Sequence, residues 1–158
     1  MIKIVKNSGL LFLMLILTNC GFKIIDKAKQ NNFSIKEITS AGDKRINFKI
    51  KNNLSINTAD LSDNKLLINL KTKKNKAIKE KNIKNEITKY QISLNSEIEF
   101  NLLNFGKVYK ENIIVMGDFL IGDNYSSTIS NEKKLIDQLV EEISEEILDK
   151  INARLNDI

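Results

Sequence analysis

The chain has no histidine, no tryptophan and no proline, and a single cysteine among its 158 residues. Each absence removes a chemistry. Without histidine, the Ser–His–Asp and Cys–His nucleophile arrangements and the His-based zinc sites are not available as they are ordinarily built. Paired carboxylates remain, and glycosidases work with such pairs, yet no Asp or Glu lies in an aromatic, Gly-rich context suited to a sugar. The expectation is a protein that is not an enzyme. A carboxylate-based hydrolase is the residual enzymatic class, and loss of function from a single Asp or Glu substitution would be its signature. Charge of one sign is also in short supply: 25 Lys+Arg stand against 20 Asp+Glu, an excess too small to argue for nucleic acid as a partner. Lys, Asn and Ile are so abundant that compositional bias discounts lysine counts taken alone.

A long apolar run is missing too. Lys3 and Lys6 form a short cationic region and Leu10 to Leu17 an unbroken apolar one, the layout of a secretory signal. Eight apolar residues fall well below the roughly 20 needed to span a membrane. No small-residue cleavage site follows; the chain reads Leu17-Thr18-Asn19-Cys20. This resembles the lipobox of bacterial lipoproteins, with Asn19 where glycine, alanine or serine is usual. The resemblance implies that residues 1–19 are a lipoprotein signal peptide and that Cys20 carries a thioether-linked diacylglycerol and an N-acyl chain. Acylation would also remove an exposed free thiol, a liability in an exported protein. No other cofactor and no metal are expected. Gly21, rather than aspartate, follows the cysteine. In this class that implies a lipid-anchored protein on the periplasmic side of the outer membrane.

Residues 20–32 read as a lipidated tether, and 33–158 fit one domain. Phe33 to Thr39 reads as a first strand ended by the turn residues Ser40-Ala41-Gly42-Asp43. Asp43 to Ile56 is ambiguous. Ile46, Phe48 and Ile50 alternate as in a strand, while Ile46, Ile50 and Leu54 keep the spacing of a helix face. Lys65 to Lys81 reads as a second strand, with Leu66, Ile68 and Leu70 alternating before a basic end. Ile87 to Leu103 has the clearest strand pattern: Tyr90, Ile92, Leu94, Ile98, Phe100 and Leu102 share one face, interrupted only by Ser96, and the other face is polar. Asn104 to Lys107 makes a hairpin turn with Gly106 suited to positive φ, and Val108 to Ile121 returns as a fourth strand. After a polar loop, YSSTISN, an amphipathic helix runs from about Glu132 to Leu155, capped by Ser130 or Asn131.

This order, with the lipobox, the pair ITKYQISLNSEIEF and VYKENIIVMGDF, the stretch SNEKKLIDQLVEEI and the ending ILDKINARL, is similar to the LptE family of lipopolysaccharide-assembly lipoproteins. The resemblance implies an α+β fold, with two helices packed on one face of a four-stranded mixed/antiparallel sheet as a two-layer sandwich, and therefore a helix at Asp43 to Ile56. It also implies two partners, the outer-membrane β-barrel LptD, which family members plug, and lipopolysaccharide.

Two sets of candidate residues follow. Lys71, Lys73, Lys74, Lys76 and Lys79, continued by Lys81 and Lys84, form a basic cluster suited to lipid A or core phosphates, since lysine binds phosphate as a point charge. Gln91, Ser93, Asn95 and Asn101 on the polar side of the sheet, with Tyr109 and Tyr125, suit a wet contact with a polar barrel lumen rather than an apolar patch. The alternative function is a lipid-anchored periplasmic module that binds an anionic or amphipathic ligand without a barrel.

Overall fold

In the computed structural model, which describes residues 33–56 and 62–157, β1 (Ser34–Gly42) leads through α1 (Lys44–Ile56) to β2 (Lys65–Lys81), β3 (Ile87–Leu102), β4 (Lys107–Leu120) and α2 (Tyr125–Asn156). The signal-like segment, Cys20 and the tether at 20–32 lie outside the described residues. The strands form one sheet in the order β1-β2-β3-β4. β1 and β2 are parallel, a pairing that needs a crossover connection, and α1 supplies it. The other two pairings are antiparallel hairpins. Both helices cover the same face, which is the α+β sandwich expected.

The ambiguous segment is a helix, for two local reasons. The Asp43 carboxylate accepts from the amides of Arg45 and Ile46 at 3.0 and 3.1 Å, capping the first turn. The four-residue spacing then buries Ile46, Ile50 and Leu54, while Phe48 stays 64% exposed. Phe48 is the residue that had lent the segment its strand-like alternation.

Two boundaries differ from the sequence reading. β1 continues through Ser40, Ala41 and Gly42, which pair with Leu70, Lys71 and Thr72 instead of turning. Gly42 is required there: its φ is +90° and a Cβ would stand 2.2 Å from the Thr72 carbonyl oxygen. A register shift between Ile35 and Glu37 explains the imperfect alternation of β1 and turns both Ile35 and Ile38 to the helix side. The final helix begins at Tyr125, seven residues before Glu132, so neither Ser130 nor Asn131 caps it. Asn124 is the N-cap, in a reciprocal box with Ser127. The serines and threonine of YSSTISN read as loop formers, yet Ser127 and Thr128 spend their hydroxyls on the cap.

The core lies between the helices and one sheet face, where Phe33, Leu66, Ile68, Ile92, Leu94, Phe100, Leu102 and Ile113 meet Ile50, Leu54, Ile143 and Ile151. Ser96, the one polar residue on the apolar face of β3, is fully buried opposite Thr72, and the two hydroxyls are 2.8 Å apart. Each answers the other's need for a partner.

Candidate functional site

Alternation along paired strands sets what each sheet face carries. On the face without helices, cross-strand neighbours form rungs: Thr39, Asn69, Glu99 and Lys110 make one, and Ala41, Lys71, Glu97 and Asn112 the next. Within them Thr39 donates to Asn69, Lys71 pairs with Glu97 at 3.0 Å and Lys110 with Glu99 at 3.0 Å. The hydrogen bond and charge of Lys71 hold the Glu97 carboxyl below its ordinary value, and Lys110 does the same to Glu99. An open groove of about 650 Å³ lies over these rungs. That volume suits a small ligand. Lys71 and Lys110 offset Glu97 and Glu99, and the third lining glutamate, Glu111, is paired with Arg154, so the groove offers hydrogen bonds rather than a net charge.

Gln91, Ser93, Asn95 and Asn101 all project from this face, and Gln91 donates to Asp118 at 3.1 Å. The side-chain oxygens of Asn95 and Asn101 are shielded and have no hydrogen-bond partner among the described residues. Tyr109 does not join them. It pairs with Phe100 on the helix side, its ring 5.4 Å from that of Phe100 and 5.3 Å from the Arg154 guanidinium. Tyr125, at the first turn of α2, is 81% exposed. The face is polar along β3 as expected, but along β4 it is not: Val108, Ile114, Met116 and Leu120 are each more than half exposed. The strand itself is where the sequence reading puts it, but Ile113 to Met116 is apolar on both parities, which hides the apolar character of its helix-free face.

The basic stretch is not a single cluster. It is itself strand, paired with β3 as far as Lys81, so its lysines alternate between faces. Lys71 and Lys73 project from the helix-free face. Lys74 and Lys76 project on the other side and converge on Glu132 of α2 at 3.9 and 2.6 Å. The Lys76 ammonium also stands 4.4 and 5.0 Å from the stacked rings of Tyr90 and Phe119. Lys79 lies at a register break next to Ile78, and Lys81 donates to Asn85 in the turn. Glu80 pairs with Lys89 and raises that lysine's pKa. From Lys71 to Lys89 the chain has eight lysines and two glutamates, so the hairpin end is positive even with Glu97 and Glu132 counted against it. Sequence reasoning missed its apolar part: Ile78 is 51% exposed and Ile83 at the turn fully so.

A scan against protein-family models finds no match, and neither does a comparison with curated protein sequences. Solved structures do match in fold. The chain is similar to the crystal structure of rare lipoprotein B from Shewanella oneidensis, with a TM-score of 0.59 and 12% identity, over 77% of this chain and 97% of that one. It is also similar to the solution structure of lipoprotein B from Nitrosomonas europaea, with a TM-score of 0.56 and 11% identity, over 81% of this chain and 90% of that one. At these identities the likeness is one of fold, and the fold of this chain is that of the rare lipoprotein B structures.

Proposed function

We propose that the chain is an outer-membrane lipoprotein of the LptE type: a non-enzymatic factor, anchored through Cys20, that plugs and assists assembly of the barrel LptD and helps lipopolysaccharide reach the outer leaflet. The observation that carries this reading is the joining of two features, a lipobox-like segment ending at Cys20 and, after it, a domain with the fold of solved lipoproteins over nearly their whole length. Barrel lumens are polar and accept protein plugs. Ser93, Asn95 and Asn101, each partly exposed, offer such a lumen a hydrogen-bonding face. The β2–β3 hairpin end suits an amphiphilic anion, with lysines for phosphates and Ile78 and Ile83 for acyl chains.

The test is affinity purification of the tagged full chain from detergent-extracted outer membranes, with palmitate labelling in parallel. A large barrel should co-purify, photo-crosslinkers at Ser93, Asn95 and Asn101 should capture it more often than one at Glu145, and label should be lost in Cys20→Ala. Label retained by Cys20→Ala rejects the anchor, and absence of any barrel rejects the plug. In the second case the groove over Asn69, Glu97 and Glu99 favours the other reading, a lipid-anchored binding module without a barrel.

A further inference from the structure

β4 is an edge strand of 14 residues, and among the described residues no strand pairs with its outer side. Long edges invite pairing with another chain. The backbone groups it offers can be identified. Ile121 N–H donates to the Thr88 carbonyl, so in this antiparallel ladder the odd-numbered residues of β4 face β3 and the even-numbered ones turn N–H and C=O outward. Asn131 confirms the parity by donating its side-chain amide to the outward carbonyl of Leu120 at 3.0 Å. The free edge therefore runs from Lys110 to Asp118, and its outward residues are also those whose side chains lie on the helix-free face.

We infer that this edge pairs antiparallel with the same edge of a second copy, about a two-fold axis at Ile114. The ground is that β4 complements itself. With Ile114 opposite Ile114 of the second copy, Lys110 falls opposite Asp118, Val108 opposite Leu120 and Asn112 opposite Met116. Opposite charges meet twice, and the apolar ends of the strand meet each other. A slip of two residues in either direction loses this: Lys110 then faces Met116 or Leu120, and Asp118 faces Val108 or Asn112. Directly opposed ion pairs stabilise a ladder and like charges destabilise it, so the charges select one register and one partner. Lys110 and Asp118 are both exposed. Their present partners, Glu99 and Gln91, lie on the inner side of β4 on β3 and leave the outer side of each group open to the second copy. The contact is isologous, closes at two and covers both free edges at once. It uses the rim of the sheet and leaves the faces of β1 to β3 open.

The experiment is cross-linking of the full chain in intact membranes. Cys20 is the only native cysteine and is the acylated residue of the proposed function, so Ile114→Cys, at the axis, places a free thiol opposite its own copy, and the parent chain is the control. A short bismaleimide should give a dimer band with Ile114→Cys and none with the parent. Adding Lys110→Asp or Asp118→Lys sets like charges opposite each other at two places and should weaken the band roughly tenfold. Co-expressing the two single-charge variants restores opposite charges in the mixed pair and should restore the band, which also shows that both variants fold. No dimer band with Ile114→Cys, a band indifferent to both charge changes, or failure of the mixed pair to recover overturns the inference.

Discussion

Removing the Ser96 hydroxyl should cost more alone than together with that of Thr72. Both residues are fully buried, on neighbouring strands at one register position, and their hydroxyl oxygens are 2.8 Å apart. In Ser96→Ala the Thr72 hydroxyl loses this partner in a place water does not reach. Stranding a buried polar group costs about 1–3 kcal/mol, whereas replacing both partners by apolar groups of like shape is nearly neutral. The single variant should therefore lose about 2 kcal/mol, a large share of the 5–15 kcal/mol that holds a typical domain folded. With a urea m-value of about 2 kcal/mol/M, the midpoint should fall by about 1 M. Ser96→Ala/Thr72→Val should return to within about 1 kcal/mol of the parent. Valine keeps the shape and suits a strand, and the Thr72 backbone carbonyl still accepts from Asp43 N–H. Equilibrium urea unfolding of the four proteins measures the coupling, expected at about 2–3 kcal/mol. A double variant that loses the sum of the two singles would refute the reasoning, and so would a neutral Ser96→Ala.

Gly42→Ala should destabilise by about 3 kcal/mol or more, because it combines a left-handed φ with a Cβ only 2.2 Å from a backbone oxygen of β2; a melting temperature within 2 °C of the parent would contradict it. Asn124→Ala should cost about 1 kcal/mol and loosen the first turns of α2, read as faster amide exchange from Tyr125 to Asn131. Glu97 and Glu99 have folded pKa values below the ordinary carboxylate value of about 4.5, held down by Lys71 and Lys110. Their contribution is therefore present above that value and lost as pH falls through the folded pKa. Lys71→Met with Lys110→Met should flatten the stability profile on the acid side of about pH 4.5 and leave its slope at neutral pH alone, as followed by thermal melts across that range.

β3 was legible because its two faces meet different media. Ile92, Leu94, Ile98, Phe100 and Leu102 are buried under helices and their alternates are not, so the period of two is written in the residue types. At 43–56 the residues satisfied two periods at once, and the decision lay in a cap and in one exposed phenylalanine. Periodicity registers neither. The early start of α2 was hidden for a related reason. Ser127 and Thr128 favour loops by their hydrogen bonding, and the same hydroxyls stabilise a helix start once Asn124 precedes them.

The candidate site was legible in composition and not in placement. The even-numbered lysines continue the parity of Leu66, Ile68, Leu70 and Thr72, so period two carried through Lys71 to Lys79 already separates Lys74 and Lys76 from Lys71 and Lys73. What it does not contain is Glu132, which comes to Lys76 from 56 residues away. Nor does a strand's own sequence say whether it is central or at an edge. Lys110 and Asp118 read alone as ordinary surface charges, each with a partner on β3. Their symmetrical placement about Ile114 acquires a consequence only when the order β1-β2-β3-β4 leaves β4 with one side unpaired. A central strand with the same residues would spend both sides of its backbone on neighbours, and the same near-palindrome would then have no physical effect.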